Sequence, residues 1–319
     1  MPAVALRLML EPQQGASYEQ MLAMGLAAEA AGFEGIFRSD HLLTIGGSPR
    51  TALEAWTTLA ALARDTNRAR LGTLVSPITF RHPAVLARAA VTVDWLSAGR
   101  VELGMGAGWF EPEHHSLGLE LPPPSQRMER LEEAVPVVRA LFEGGPATFS
   151  GRHYQLDEAV ALPAPRQARL PVIIGGAGKA RSAQLAARHA DEYNTTSVDP
   201  DGAATVFAAV RAACDQQGRD PATLRLSWMG TCLVAEDEQA LRRRAAAYGE
   251  LQFMSGDGAA IVEALAGRGI VGTYATAAER MQAYVDAGCE RLYLRILDLD
   301  DLELPLEIAS EVASRLLPV

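Results

Sequence analysis

Residues 99–113 read Gly99-Arg-Val-Glu-Leu-Gly-Met-Gly-Ala-Gly-Trp-Phe-Glu-Pro-Glu113. Val101, Leu103 and Met105 alternate with Glu102 and Gly104, the two-residue period of a short strand. Gly104, Gly106 and Gly108 then strip side chains from the strand's end, and Trp109, Phe110, Glu111 and Glu113 follow. Bare backbone beside aromatic rings and carboxylates suits a flat ligand, since glycine lets a ligand lie against the main chain. A glycine-rich turn at a tight packing point fits the same residues. A dinucleotide fingerprint does not, because G-x-G-x-x-G requires glycine where Trp109 stands.

The pattern of strand, turn and helix recurs on both sides of this stretch. Strands are expected over residues 4–10, 33–37, 70–75, 100–105, 171–174, 191–196, 224–234 and 291–297. Helices are expected over 17–31, 53–66, 83–96, 125–142, 180–189, 203–217, 237–248, 276–287 and 305–316. Pro83 opens its helix at a tolerated first-turn position. Residues 144–156 read as a small hairpin, and 106–124 and 251–270 as irregular. Eight strands, nearly all followed by a helix, imply parallel pairing with right-handed crossovers. The expected fold is α/β: a single (β/α)8 TIM barrel over 1–319, with insertions after strand four and near the C-terminal third. A doubly wound sheet is the other arrangement such alternation allows.

The chain has 319 residues, 49% hydrophobic and 21% charged, and carries a net charge of −10. That composition supports a sizeable core, and the acidic balance argues against a nucleic-acid or anionic-membrane surface. Cys214, Cys232 and Cys289 are scattered and lack CxxC spacing, so neither a disulfide framework nor a zinc site is expected and a reducing cytoplasm is. Residues 1–7 read as the start of a strand and not as a signal peptide. No run reaches the roughly 18–20 apolar residues of a membrane span.

A barrel builds its site from the loops after its strands. Those loops carry Asp40 and His41; Ser76, Pro77, Phe80, Arg81 and His82; Gly106, Gly108, Trp109, Glu111 and Glu113; Gly175, Gly176, Gly178 and Lys179; and Asn194, Thr195 and Thr196. Asp40 and His41 suggest an acid/base pair, since imidazole titrates near neutrality, although a hydrogen-bonded structural pair uses the same residues. Residues 175–179 before a helix read as a phosphate cradle with Lys179 as a cation, or as a tight turn only. Trp109 offers a platform to a ring, or a cap to the core. His82-Pro83 reads as a helix start. His114 and His115 beside Glu111 and Glu113 lack helical metal-ligand spacing, so no metal is expected. His153 is expected exposed, and Glu129, Arg130, Glu132 and Glu133 to form a solvated helix face.

Several of these segments together resemble the luciferase-like monooxygenase family, in its branch dependent on the deazaflavin coenzyme F420. They are Ala31-Gly-Phe-Glu-Gly-Ile-Phe37 leading to Ser39-Asp-His41; Arg70-Leu-Gly-Thr-Leu-Val-Ser-Pro77 leading to Arg81-His-Pro83; the stretch from Ser97 to Trp109 with Glu113 and Gly118; residues 127–131; Leu170-Pro-Val-Ile-Ile-Gly-Gly-Ala-Gly178; and Tyr284-Val-Asp-Ala-Gly288. The resemblance covers nearly the whole chain.

It implies a barrel with the cofactor at its C-terminal mouth. Asp40 and His41 match the pair beside the deazaflavin ring, with His41 assisting hydride or proton transfer. Thr73-Leu74 matches a strand-three bulge that carries a non-prolyl cis peptide in relatives, and Ser76 a ring-contacting hydroxyl. Ala107 and Gly108 match backbone contacts to the ring. Gly176, Ala177, Gly178, Lys179, Ala180 and Arg181 fall on the phosphate loop. Two positions depart: Trp109 stands where the sugar-phosphate branch has a glutamate proton donor, and Pro112 where it has asparagine. Glu113 is then the nearest candidate acid, with Trp109 a further catalytic candidate. The implied activity is hydride transfer between F420 and a small organic substrate, with an F420-reducing partner enzyme and a homodimer. Long insertions of the two-component FMN monooxygenases are absent; an FMN-dependent monooxygenase fed by a partner reductase is the alternative. Outside enzymes, a non-catalytic flavin-binding barrel remains.

Overall fold

The computed structural model describes residues 4–317, so the sequence reading of residues 1–3 lies outside the described part. Its strands are β1 (Ala5–Leu10), β2 (Gly35–Arg38), β3 (Arg70–Pro77), β4 (Val101–Gly106), β5 (Pro146–Ser150), β6 (Gln155–Val160), β7 (Val172–Gly175), β8 (Glu192–Thr196), β9 (Arg225–Ala235), β10 (Ile270–Thr273) and β11 (Arg291–Arg295). The helices are α1 (Tyr18–Ala30), α2 (Ala55–Asp65), α3 (Pro83–Leu96), α4 (Glu111–Leu117), α5 (Pro124–Phe142), α6 (Ala180–His189), α7 (Pro200–Gln216), α8 (Glu238–Gln252), α9 (Gly258–Ala266), α10 (Tyr274–Asp286) and α11 (Leu304–Glu307).

Strands β1, β2, β3, β4, β7, β8, β9 and β11 pair in parallel in that order, and β11 returns to β1. The sheet is therefore a closed eight-stranded TIM barrel, as the alternation of elements implied. Local chemistry agrees with the element edges. Ser17 and Gln20 close a reciprocal capping box on α1. Pro83 starts α3, and the His82 ring accepts from the Ala84 N–H, so His82 is a helix cap. Antiparallel β5 and β6 form the expected hairpin.

Some elements differ from the sequence reading. Strand β10 begins at the last residue of the stretch expected to be irregular with short helices and runs into residues given no element, and it pairs with the C-terminal half of β9, from Cys232 to Ala235, beyond the part that pairs with β11. Four residues, with Gly272 among them, carry too little periodicity to be seen as a strand. The last helix was expected over 305–316; α11 stops at Glu307, and wider and tighter turns continue through Ile308–Val312 and Ala313–Arg315. The stretch expected to be non-periodic after β4 contains α4. His153 is not exposed: its ring sits against Glu129, while Glu133 takes the backbone N–H groups of Arg152, His153 and Tyr154. Part of the charged face of α5 thus anchors the hairpin.

The barrel interior is layered by charge. At the floor, Arg7 donates to Glu102 at 2.5 and 3.1 Å, and Arg70 reaches the same carboxylate. Arg291 pairs with Glu192, which also accepts from the Tyr293 hydroxyl at 2.8 Å. Burial opposes ionisation of Glu102, but Arg7, Arg291 and Arg70 outweigh it and hold the carboxyl down to about 2. Above this floor Met9, Phe37, Leu74, Ile173 and Tyr293 form an apolar plug. The space left open lies above the plug, at the C-terminal ends of the strands.

Candidate active site

A cavity of about 430 Å³ occupies that mouth. Glu11, Asp40, His41, Val75, Gly106, Gly108, Trp109, Glu113, Gly176, Asn194, Met229 and Arg295 are among its walls, drawn from every strand of the barrel. A volume of this size takes a fused, flat ring system.

Four residues of the opening stretch have separable roles. A Cβ on Gly104 would lie 2.1 Å from the Thr73 carbonyl oxygen, so that glycine serves the close approach of β3 and β4. A Cβ on Gly106 would lie 2.4 Å from a Val75 methyl on the cavity wall. Gly108 takes a positive φ of 81°, which glycine accommodates without strain. Trp109 does not cap the core: it is 61% exposed, with its ring edge-on to His41 at 5.7 Å between centroids.

Asp40 and His41 are neighbours in sequence but do not pair. Both line the cavity, and each finds a different partner. Asp40 is buried and accepts from Arg81 at 2.7 and 3.1 Å and from the Ser76 hydroxyl at 2.7 Å. Ser76 in turn accepts from the Trp56 indole N–H at 3.0 Å. The carboxylate is thus committed to structure. His41 instead places Nδ1 2.9 Å from Glu113 Oε1, while Glu113 Oε2 accepts from the Leu42 N–H at 3.0 Å. Burial disfavours the imidazolium, but the Glu113 hydrogen bond and the charges of Glu11, Glu113 and Asp40 prevail, and the His41 pKa is raised. With Nδ1 engaged, Nε2 makes no hydrogen bond among the described residues.

The strand-three bulge falls between Thr73 and Ser76, but its cis peptide joins Leu74 to Val75, one bond later than the Thr73-Leu74 expected. Leu74 and Val75 line the cavity, whereas Thr73 and Ser76 are fully buried behind them. Their hydroxyls lie 3.0 Å apart and hold the wall in place.

On the far wall, Gly176 lines the cavity, and the loop continues through Ala177, Gly178, Lys179 and Ala180 to the start of α6. Tyr193 pins this loop: its hydroxyl accepts from the Gly178 N–H at 2.8 Å and sits 3.0 Å from the Ser182 hydroxyl. Lys179 is the N-cap of α6 and gives no side-chain cap, so the first N–H groups of that helix keep their donor capacity. Arg181 is turned away from the loop and makes a two-pronged ion pair with Glu132 on α5. His114 is engaged within the wall of the rim, since Thr79 and the Phe110 carbonyl take its two ring nitrogens at 2.7 Å each. Among the described residues no three His, Cys, Asp or Glu side chains cluster as metal ligands.

Sequence reasoning missed Glu11, Ile45, Ser197, Met229 and Arg295 as wall residues. One signal was present. Arg291, Tyr293 and Arg295 recur at the strand period, so they share the inward face of β11.

The barrel is closed, with a ring-sized cleft at its mouth and a histidine–carboxylate dyad on the wall. The luciferase-like monooxygenase family model matches residues 4–291, and the chain belongs to that family. It is 39% identical over 182 residues to an F420-dependent glucose-6-phosphate dehydrogenase of Microbacterium testaceum, covering 56% of this chain and 52% of that one. It is 37% identical over 176 residues to a pyrimidine monooxygenase, RutA, of Allorhizobium ampelinum, covering 53% and 47%. The chain thus spans about half the length of these curated relatives. In fold it is similar to the F420-dependent tetrahydromethanopterin reductase of Methanopyrus kandleri, with a TM-score of 0.82, 18% identity and coverage of 98% and 99%. No helix among the described residues is long and apolar enough to cross a membrane.

Proposed function

We propose that the chain is an oxidoreductase that binds coenzyme F420 across the barrel mouth and exchanges a hydride with a small organic substrate. The observation that carries this reading is the His41–Glu113 dyad on the wall of a cleft sized for a flat ring. The wall fits such a group: a Cβ on Gly106 or Gly175 would crowd Val75, so the backbone is left bare where a ring would lie. Leu74, Val75, Ala107 and Gly108 would hold the ring. Gly176 to Ala180 and the opening N–H groups of α6 would receive a phosphate. F420-dependent relatives support the choice of cofactor. When bound, the deazaflavin supplies a two-electron hydride couple, and the protein supplies orientation and proton handling.

In this reading His41 is the proton carrier. Glu113 fixes the ring through Nδ1 and stabilises the imidazolium, leaving Nε2 to give or take a proton at the substrate oxygen. Asp40 is a positioning residue that fixes Arg81, Ser76 and the wall behind Leu74–Val75. Trp109 shields the His41 ring from water. Its place where the sugar-phosphate branch has an acid leaves His41–Glu113 to handle the proton. A homodimer, an F420-reducing partner enzyme and a cytoplasmic setting belong to the same reading.

The similarity to a pyrimidine monooxygenase favours FMN as the second reading. Parallel titrations with oxidised F420 and FMN, followed by cofactor fluorescence, separate the two. Micromolar binding of F420 with weaker FMN binding supports the proposal; clear preference for FMN overturns the cofactor. His41→Ala is expected to abolish turnover of any substrate found while leaving cofactor affinity within a fewfold of the parent. Unchanged turnover would overturn the role of His41.

A further inference from the structure

Among the walls of the mouth cavity, one cation stands without an ion-pair partner among the described residues. The acids are accounted for: Asp40 is met by Arg81, Glu113 by His41, and Glu11 accepts from the Gln13 amide. Arg295, at the end of β11, makes no ion pair among the described residues. Its Nη2 donates to Thr231 at 2.6 Å and to the Tyr248 hydroxyl at 3.3 Å. Its Nε is buried with no partner, and Nη1 makes no hydrogen bond to the described residues. Thr231 and Tyr248 lie 2.9 Å apart, so Nη2 is braced by two neutral hydroxyls while Nη1 is left open.

A half-buried guanidinium with idle donors is costly unless a ligand satisfies it. Its place in the barrel says which part of a ligand that is. β11 lies opposite β4 in the closed order of strands, so Arg295 faces the Gly106–Trp109 wall across the mouth. It is three strands from β7, whose loop offers the phosphate-type donors. The free Nη1 N–H groups can donate to a carboxylate, and Nη2 can add a second, parallel bond where it releases its long 3.3 Å contact to Tyr248.

We propose that Arg295 is the specificity residue of this site and anchors a carboxylate carried by the substrate. The proposal rests on the cleft being the cofactor and substrate site. Thr231 and Tyr248 act as positioning residues for the fork. Glu11 shares the cavity wall without pairing to Arg295, and it confines the anion to the β11 side by repulsion.

The test uses benzoate and pentanoate against the neutral isosteres benzamide and pentanamide, with calorimetric titration of the F420-loaded protein and of the unloaded protein. The carboxylates are expected to bind about tenfold or more tighter than the amides. Arg295→Gln should erase that preference and leave F420 affinity unchanged, and Arg295→Lys should restore part of it. A purely structural arginine would change all four affinities together. The proposal is overturned if neither carboxylate binds more tightly than its amide. It is likewise overturned if the preference survives in Arg295→Gln, or if that variant loses F420 binding tenfold and so shows a cofactor contact. Failure of the cofactor reading looks different: F420 does not bind the parent protein or FMN binds in preference to it, while the carboxylate preference of the unloaded protein is still measured directly.

Discussion

Gly176 is expected to be the most sensitive backbone position of the phosphate-type loop, for a reason that Tyr193 makes testable. The residue has no left-handed φ, so alanine meets no dihedral strain there. The obstacle is space. An added Cβ would lie 2.3 Å from the Tyr193 hydroxyl oxygen and 3.0 Å from the Ser182 hydroxyl, well inside van der Waals contact. Gly176→Ala must therefore displace Tyr193, and with it the 2.8 Å bond that holds the Gly178 N–H. Overpacking of this kind costs about 1–3 kcal/mol. Tyr193→Phe removes the hydroxyl and its bonds at a cost of about 1 kcal/mol. It also removes the atom with which the alanine collides. The double variant should then be more stable than the sum of the single losses predicts, by about 1 kcal/mol in a double-mutant cycle read by urea denaturation. F420 affinity should fall about tenfold in each single variant, a change of about 1.4 kcal/mol, because the loop loses its pinned geometry. Stability losses that add to within about 0.3 kcal/mol would refute the steric argument. Unchanged F420 affinity would remove this loop from the cofactor site.

Glu113→Gln removes the charge opposite His41 while Glu11 and Asp40 remain, so burial acts with less opposition and the His41 pKa falls. The limb of the pH–rate profile that reports the imidazolium should move to lower pH, and an unmoved limb would show that His41 does not set it. The sign for stability follows from the raised folded-state pKa. The dyad's contribution is complete below the ordinary histidine value of 6.5 and is lost as pH rises through the raised value; denaturation of the parent and Glu113→Gln across that range should converge at the alkaline end. Glu102→Gln leaves the buried Arg7 guanidinium short of its main partner, and a loss of about 3–5 kcal/mol is expected in denaturant unfolding. For the parent, the Glu102 contribution is complete above the ordinary 4.5 and disappears as pH falls toward about 2, so the variant should show a flatter acid limb.

Much of the barrel was legible because its strands are separated by alanine-rich helices with clear caps and stops. β10 was not, since four residues cannot display a period that distinguishes strand from irregular chain. The rim was legible by position: every loop singled out after a strand contributes at least one wall residue. Partnerships were not. Asp40 and His41 look like a pair in sequence, yet each pairs elsewhere, and their partners Arg81 and Glu113 lie 41 and 72 residues away. The family resemblance put Arg181 on the phosphate loop. Its long side chain reaches Glu132 on α5 instead, a contact that depends on how α5 and α6 pack.

The charges inside the barrel separate the part that holds the fold from the part that remains open to a ligand. At the floor Arg7, Glu102, Glu192 and Arg291 are each paired to an opposite charge. Such a network is expensive to desolvate and adds little net stability over an apolar core, but losing one member is severe. It therefore fixes strand register below the plug. At the mouth the pairing is incomplete: Asp40 and Glu113 are held, while Arg295 keeps donors without acceptors. Local rules of polar satisfaction are expected to fail where function requires it. Here they fail at the end of β11, two strand periods above Arg291 on the same inward face, where the floor's ionic network gives way to an open cleft.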